Sequence, residues 1–295
     1  MAKLEFLFSI SGARSTTTIR THNVFDVSYQ ESSKSPIDIY KNNILTYKKL
    51  LGCFVFEPES GNYVSLAASG SEEWNKLSNL LILGFISSVE SYMRCLLRRI
   101  LLIDDDSKFK SYNQKVTYGA AVHHQAVMLP EAIMEDYSFH SASNIKETIK
   151  NITGINLNNN KIPELISAFN DYDFVGQLRH CVVHRSGLFG SNNALSLGLD
   201  EYGEYLEKPI KLNLIVVQEA AKACDTLVTE LNDVLFRELL VRTINNYPWK
   251  GDLRSDGRYF DHYFKLFSPE ENLSLRYDCY DKFRTVYNLR YRNNA

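Results

Sequence analysis

Three long segments carry apolar residues at helical spacing, and they constrain the fold more than any other feature of the chain. The first opens at Ser71, a residue suited to cap a helix, and continues to the acidic run at residues 104–106. The second starts with Pro163, because proline is tolerated in a first helical turn, and extends to about His184. The third covers residues 216–245. The chain is therefore predicted to be mainly α-helical.

The remaining segments have weaker patterns. The first 70 residues contain short β-prone runs and a helical pattern at residues 37–51, which together predict a mixed α/β N-terminal extension. Apolar and polar residues alternate at 194–214, which predicts a β-hairpin. After Asn246 the composition shifts, and Tyr and Phe are interleaved with Arg and Lys. We therefore expect a helical domain with a β-hairpin insertion, flanked by two further segments: 1–70 for the extension, 71–245 for the helical domain and 246–295 for an aromatic-rich C-terminal segment.

The composition is that of a folded protein that does not depend on disulfides. Hydrophobic residues make up 44% of the 295 residues, enough for a sizeable core. The net charge of −2 means that contact with a nucleic acid would need a local basic patch. Five scattered cysteines without a CxxC pair indicate thiols in a reducing compartment. Glu5 interrupts any signal-peptide core, and the longest apolar run, Leu80–Ile86, is too short to span a bilayer, so we expect a cytoplasmic protein without membrane contact.

The most informative chemical feature lies at the end of the second helical segment, where Arg179 is followed five residues later by His184. An imidazole titrates near neutral pH and can move the proton of a ribose 2′-hydroxyl. A guanidinium grips phosphate with a permanently charged planar fork. The two side chains together could cleave RNA without a metal ion.

This segment resembles the signature motif of the HEPN superfamily, α-helical ribonucleases and nucleotide-binding domains of prokaryotic defence and toxin systems. That motif is Arg, a polar residue, three further residues and His, and here His180 takes the polar position. The order of the helical segments over roughly residues 70–245 is also similar. The resemblance implies a HEPN-like helical bundle.

Glu90 is the third candidate residue of the site. It lies in the apolar stripe of the first helix, where an unpaired carboxylate is costly, and Arg179 is a natural partner. HEPN ribonucleases often add an acidic or polar residue from this helix to the Arg/His pair, and Glu90 looks like that position. A purely structural ion pair between two helices is the alternative, and both interpretations can hold together.

Helical geometry limits what one chain can do. Five residues rotate by about 140° on an α-helix, so Arg179 and His184 do not share a face of a regular helix. Either the helix end is distorted near Gly187, or the site is completed by a second chain. The resemblance implies the second solution, a homodimer in which two motifs face one cleft.

The resemblance implies a metal-independent endoribonuclease without cofactors, which acts as a toxin or in anti-phage defence. His184 would transfer the proton while the 2′-hydroxyl attacks its neighbouring phosphorus, and Arg179 would stabilise the charge on the phosphorane. His180 and Arg185 are candidate phosphate contacts. A ribonuclease that is free in the cytoplasm would harm its own cell, so we also expect an inhibitory antitoxin or a trigger protein as partner. The alternative is a non-catalytic HEPN module that binds a partner protein or a nucleotide.

Other interpretations of the motif compete with this one. His180 and His184 share a helix face and, with Cys181, could begin a zinc site, although no second ligand cluster has suitable spacing. A structural histidine without chemistry and a nucleophilic Cys181–His184 pair are further alternatives. Motifs of P-loop, Rossmann, zincin and serine-hydrolase enzymes are missing from the sequence.

The C-terminal segment interleaves aromatic rings with basic residues, a pattern that suits single-stranded RNA. Acidic residues nearly cancel this charge in the sequence, so a packed accessory subdomain is the favoured interpretation and RNA binding is the alternative. The basic residues include Lys250, Arg254, Arg258, Lys265, Arg276, Arg284, Arg290 and Arg292.

Overall fold

A computed structural model describes residues 24–57, 61–159 and 162–289, and most of these residues lie in helices. The prediction of a mainly α-helical protein is therefore confirmed. The two strands of the described residues are β1 (Phe54–Glu57) and β2 (Asn62–Ser65). The helices are α1 (Pro36–Lys49), α2 (Leu66–Ser69), α3 (Glu72–Ile103), α4 (Asp105–Lys110), α5 (Tyr118–His123), α6 (Leu129–Ile133), α7 (Ala142–Thr153), α8 (Pro163–Arg185), α9 (Ser191–Leu197), α10 (Leu199–Tyr202), α11 (Leu214–Asn246), α12 (Leu253–Phe267) and α13 (Arg276–Val286).

Helices α3, α8 and α11 form the centre of the core. Each of the three contacts the other two, and α1 and α12 pack against both α3 and α11. The apolar stripe predicted for the first helical segment is the buried face of α3, and it includes the fully buried Phe85, Val89 and Leu96. Burial of such side chains contributes about 1.5–3 kcal/mol each, so the three helices stabilise one another.

The ends of the long helices follow from local chemistry. The hydroxyl of Ser71 accepts a hydrogen bond of 3.2 Å from the backbone N–H of Trp74, which confirms the predicted cap of α3. The indole of Trp74 donates to the carbonyl of Leu212 at 2.8 Å and so ties the start of α3 to the segment before α11. The predicted bounds of α1, α8 and α11 agree with the structure within two residues.

The expected domain boundaries do not coincide with compact units. The chain divides into Met1–Ser33 and Lys34–Ala295. Helix α1 belongs to the second unit and packs on α3, and α12 of the C-terminal segment also packs there, so neither residue 70 nor residue 245 ends a unit. The part of the expected N-terminal extension at residues 1–23 lies outside the described residues.

The β-hairpin expected at residues 194–214 is wrong, because this segment begins with helices α9 and α10. Ala194 and Leu197, three residues apart, point inward, whereas Leu195 is 66% exposed. The alternating leucines therefore imitate a strand while the packing has helical spacing. Gly198, at φ 113°, ends α9 in a conformation that few other residues adopt.

The hairpin of the described residues lies elsewhere, in the N-terminal part of the second unit. Strands β1 and β2 pair antiparallel, with Phe54 opposite Ser65 and Glu57 opposite Asn62. The β-prone run at residues 54–56 thus forms a strand, as its composition predicts.

Helix α3 is long and apolar enough to cross a membrane, with a mean hydropathy of 1.5 over its most apolar window. In the structure 67% of that window is buried. A core helix of a soluble protein has the same character, so the helix gives only weak evidence for a membrane span.

Candidate functional site

Helix α8 stays regular through the whole Arg179–His184 motif. It ends only after Arg185, where Ser186 adopts the left-handed conformation at φ 54° and the N–H of Gly187 donates to the carbonyl of Cys181 at 2.9 Å. A distortion that would bring Arg179 and His184 onto one face is therefore not present. Within one chain the two side chains leave the helix in different directions.

His180 and His184 form a pair of imidazoles at the end of α8. Their ring centroids are 4.8 Å apart and the ring planes are inclined by 48°. His184 is exposed and His180 is half-buried. This pair follows from the spacing of four residues, which stacks side chains on one helix face. Two imidazole rings thus lie side by side at the end of the motif helix.

The buried side chain of Asn193, in α9, orients His180. Its amide nitrogen donates to the carbonyl oxygen of Gln177 at 3.1 Å, and its Oδ1 accepts from the N–H of Gly190 at 3.3 Å. A carbonyl only accepts and an N–H only donates, so these two backbone groups fix which way the amide points. Oδ1 also lies 3.3 Å from Nδ1 of His180. Nδ1 must therefore carry the proton, which leaves a lone pair on Nε2 of the neutral ring.

Glu90 lies on α3 and Arg179 on α8, two helices that pack together, and both side chains are half-buried. Within the described part of the chain the two residues form no ion pair, so the pairing expected for Glu90 is not observed. Both groups act on the same neighbour, His140. The pKa of His140 is lowered, first by burial and then by the positive charge of Arg179, while Glu90 acts in the opposite direction.

His140 is a site residue that sequence reasoning missed. It lies between α6 and α7, in a segment without clear periodicity, and its Nδ1 is hydrogen-bonded to the hydroxyl of Ser138. Its carbonyl oxygen packs against Gly176 of α8, where a Cβ atom would lie only 2.6 Å away. The signal available in the sequence was Gly176, because a glycine inside a helical pattern often marks a close backbone approach.

The structure places Arg185 and Cys181 away from the candidate chemistry. Arg185 forms an ion pair with Glu207, and its side chain lies over Gly190, where a Cβ would be 2.7 Å from the Arg185 Cδ. Its charge is thus already compensated, which weakens the expectation of a phosphate contact. Cys181 is buried in a small apolar cluster with Phe189, and burial raises the pKa of its thiol. A buried, protonated thiol is a poor nucleophile.

A cavity of about 770 Å³ lies beside the motif helix. Its lining is largely apolar and aromatic, and Gln177 and Cys181 of α8 contribute to it together with Phe189 and Tyr202. The side-chain oxygen of Gln177 accepts from Asn193 at 2.9 Å. The cavity wall and the orientation of His180 therefore share one hydrogen-bond network.

In the described part of the chain, no group of three or more His, Cys, Asp or Glu side chains could hold a metal ion. The zinc interpretation needs Cys181 beside His180 and His184. The thiol instead lies in the apolar cluster.

The candidate site therefore consists of Glu90, His140, Arg179, His180 and His184, with Asn193 as the residue that positions His180. No family model, curated protein or solved structure matches this chain. The functional interpretation therefore depends on the chemistry of these side chains.

Proposed function

We propose that this protein is a metal-independent endoribonuclease of the HEPN type, which cleaves RNA through attack of the 2′-hydroxyl on the adjacent phosphodiester. The observation that carries the proposal is the position of a guanidinium beside a group of imidazoles. Within the described residues Arg179 forms no ion pair, and its charge acts on His140, as does His180, which pairs with His184. A half-buried guanidinium without an ion pair, next to imidazole rings, suits a phosphate that must undergo proton transfer.

The reaction balances with these groups alone. One neutral imidazole removes the 2′-hydroxyl proton while O2′ bonds to phosphorus, and the bond from phosphorus to O5′ breaks as O5′ takes a proton from an imidazolium. The products are a 2′,3′-cyclic phosphate and a 5′-hydroxyl. Arg179 stabilises the additional negative charge on the phosphorane oxygens. His184, the more exposed imidazole, has free access to the RNA.

The direction of attack favours a second copy of the chain. In an in-line displacement O2′ and O5′ lie on opposite sides of phosphorus. His180 and His184 lie side by side on one helix, so in one chain they approach the phosphate from the same side. A second motif facing the first would supply the imidazole for the other oxygen, and a homodimer satisfies this need.

The biological setting is part of the same proposal. A ribonuclease of this kind acts in the cytoplasm, and its harm to the cell that makes it fits a toxin or an anti-phage effector. An inhibitory antitoxin or a trigger protein would then control it.

The second candidate function is a non-catalytic HEPN module that binds a small ligand. The cavity of about 770 Å³ beside α8 favours it, because its volume and apolar lining are typical of small-molecule sites. In that case the histidine pair would only support the hydrogen-bond network around Asn193.

The test is cleavage of a labelled single-stranded RNA in excess EDTA, with analysis of the product ends. We expect cyclic phosphate ends from the wild type, and loss of cleavage by at least 100-fold in His184→Ala and Arg179→Gln. His123→Ala, an exposed histidine of α5, is the matched control and should cleave as the wild type does. Full activity of His184→Ala, or 5′-phosphate ends that vanish with chelator, would contradict the proposal.

A further inference from the structure

Basic and acidic residues nearly cancel in the sequence of the C-terminal segment, but the structure brings several arginines together at one cavity. A cavity of about 530 Å³ at α12 and α13 is lined by four arginines, and we call it the C-terminal arginine pocket. Its lining also includes the carboxylates of Asp252 and Asp261, which decide whether the pocket is positive. The arginines are Arg254, Arg258, Arg276 and Arg284.

The carboxylates around this pocket already accept hydrogen bonds or form ion pairs within the protein. Asp261 accepts from Nε of Arg276 at 2.5 Å, and Asp252 caps α12 by accepting from the N–H of Ser255 at 3.2 Å. Asp281 pairs with Arg284. These carboxylates offset part of the positive charge, and each has at least one oxygen bound to a donor of the protein itself.

The guanidinium groups of three of the arginines keep nitrogens that can bind a ligand. Arg276 gives Nε–H to Asp261, which leaves its two terminal nitrogens for a ligand. Gly257 makes room for them, because a Cβ there would lie 2.7 Å from Nη2 of Arg276. Arg254 and Arg258, which share a face of α12, form no ion pair among the described residues. The pocket thus contains two arginines without an ion pair beside a third that Asp261 anchors.

Aromatic side chains accompany these cations. The guanidinium of Arg258 lies 5.0 Å from the ring centre of Tyr259 and donates to its hydroxyl at 3.0 Å. Tyr277 also lines the pocket and is 62% exposed. A planar base can stack on such a ring.

We propose that the C-terminal arginine pocket binds one phosphate of single-stranded RNA, with an adjoining base on Tyr277. Arginine forks suit phosphate oxygens, and the cavity is larger than a phosphate ion and has room for a nucleotide unit. A phosphopeptide would use the guanidiniums but has no base to place on the exposed ring. This inference rests on the proposed function in one respect, that RNA is the substrate.

The test measures binding of a fluorescein-labelled oligouridylate by anisotropy in a His184→Ala background, where the RNA should remain intact. The double variant Arg254→Gln/Arg258→Gln should lose at least 10-fold in affinity. The slope of log K against log salt should become shallower by about 0.7, because the pocket neutralises one phosphate and each neutralised phosphate of a single strand accounts for about 0.7. Tyr277→Ala should weaken binding without changing the slope. Both arginines are exposed, so the variants should fold, which circular dichroism would verify.

The control is Arg237→Gln, an exposed arginine of α11 outside the pocket, which should bind as the parent protein does. Unchanged affinity and slope in the double variant would overturn the inference, as would displacement of the RNA by an equimolar phosphopeptide.

The experiments distinguish failure of this inference from failure of the proposed function. If the parent binds RNA through the arginines but the protein with His184 intact does not cleave it, the pocket stands and the catalytic proposal fails. If cleavage is real and the double variant binds and cleaves normally, the pocket is wrong and the catalytic proposal stands.

Discussion

Nδ1 of His180 lies 3.3 Å from Oδ1 of Asn193, and two backbone groups prevent the amide of Asn193 from turning around. The tautomer of His180 is therefore set by the fold, as it is for histidines whose second nitrogen is held by a fixed acceptor. Its Nε2 lone pair faces away from Asn193 and is ready to accept a proton. This contact connects the α9 segment with the chemistry of the motif helix.

Removal of the Asn193 amide should release this tautomer. In Asn193→Ala the ring of His180 should populate both neutral forms, whereas the wild type should have the proton on Nδ1. Two-bond ¹H–¹⁵N correlation spectra of the imidazoles distinguish the two forms. Asn192→Ala, its exposed neighbour, is the matched control. A wild-type spectrum with the proton on Nε2 would show that Asn193 does not position the ring.

Arg179 should lower the pKa of His140. Burial is the largest cause of the depressed pKa of His140, and Arg179 is the next. In Arg179→Gln the pKa of His140 should rise towards 6.5, the ordinary value, without reaching it. A titration followed by NMR measures this change. Arg185→Gln should leave His140 unaffected, because Arg185 is paired with Glu207 and is not among the charges that act on this ring.

The lowered pKa of His140 also predicts how the stability of the fold depends on pH. Because folded His140 binds its proton less tightly than the unfolded chain does, its contribution to stability is complete above pH 6.5 and is lost as the pH falls through the folded pKa. Denaturant melts of the wild type and Arg179→Gln over pH 5–8 should therefore differ in slope, the variant losing less stability on acidification through this group. Equal slopes would mean that Arg179 does not act on His140.

The sequence predicted the long helices well because their information is local. The cap at Ser71, the proline at the start of α8 and the apolar spacing of α3 each follow from residues within a few positions. The Arg179/His184 motif was also visible as a short pattern. Only part of the candidate site could be predicted, because His140 and Asn193 contact α8 through tertiary packing, which leaves no regular spacing in the sequence. The wrong hairpin at 194–214 has the same origin, because burial against α8 decided which side chains turned inward.

Gly176 should be required for the position of His140. In Gly176→Ala the new methyl group would meet the backbone oxygen of His140 at 2.6 Å, so α8 and the segment before α7 must separate. We expect a loss of about 1–3 kcal/mol in the free energy of unfolding, together with reduced RNA cleavage. Gly119→Ala is the matched control, because a Cβ at that helical position of α5 meets nothing within 4 Å. Wild-type stability of Gly176→Ala in denaturant melts would contradict this account.

The proposed composite site should be shared between two chains. Arg179 and His184 leave a regular helix about 140° apart, so a site made of both residues is most easily completed by two chains. If Arg179 of one chain acts with His184 of its partner, two inactive variants should restore each other. A mixed dimer of Arg179→Gln and His184→Ala has one site with both residues intact. Half of the dimers in an equal mixture are mixed, so about a quarter of wild-type activity should return. Each variant alone should stay inactive at the same total concentration, and light scattering should report a dimer. A mixture as inactive as its components, or a monomeric protein that cleaves RNA, would place the whole site within one chain.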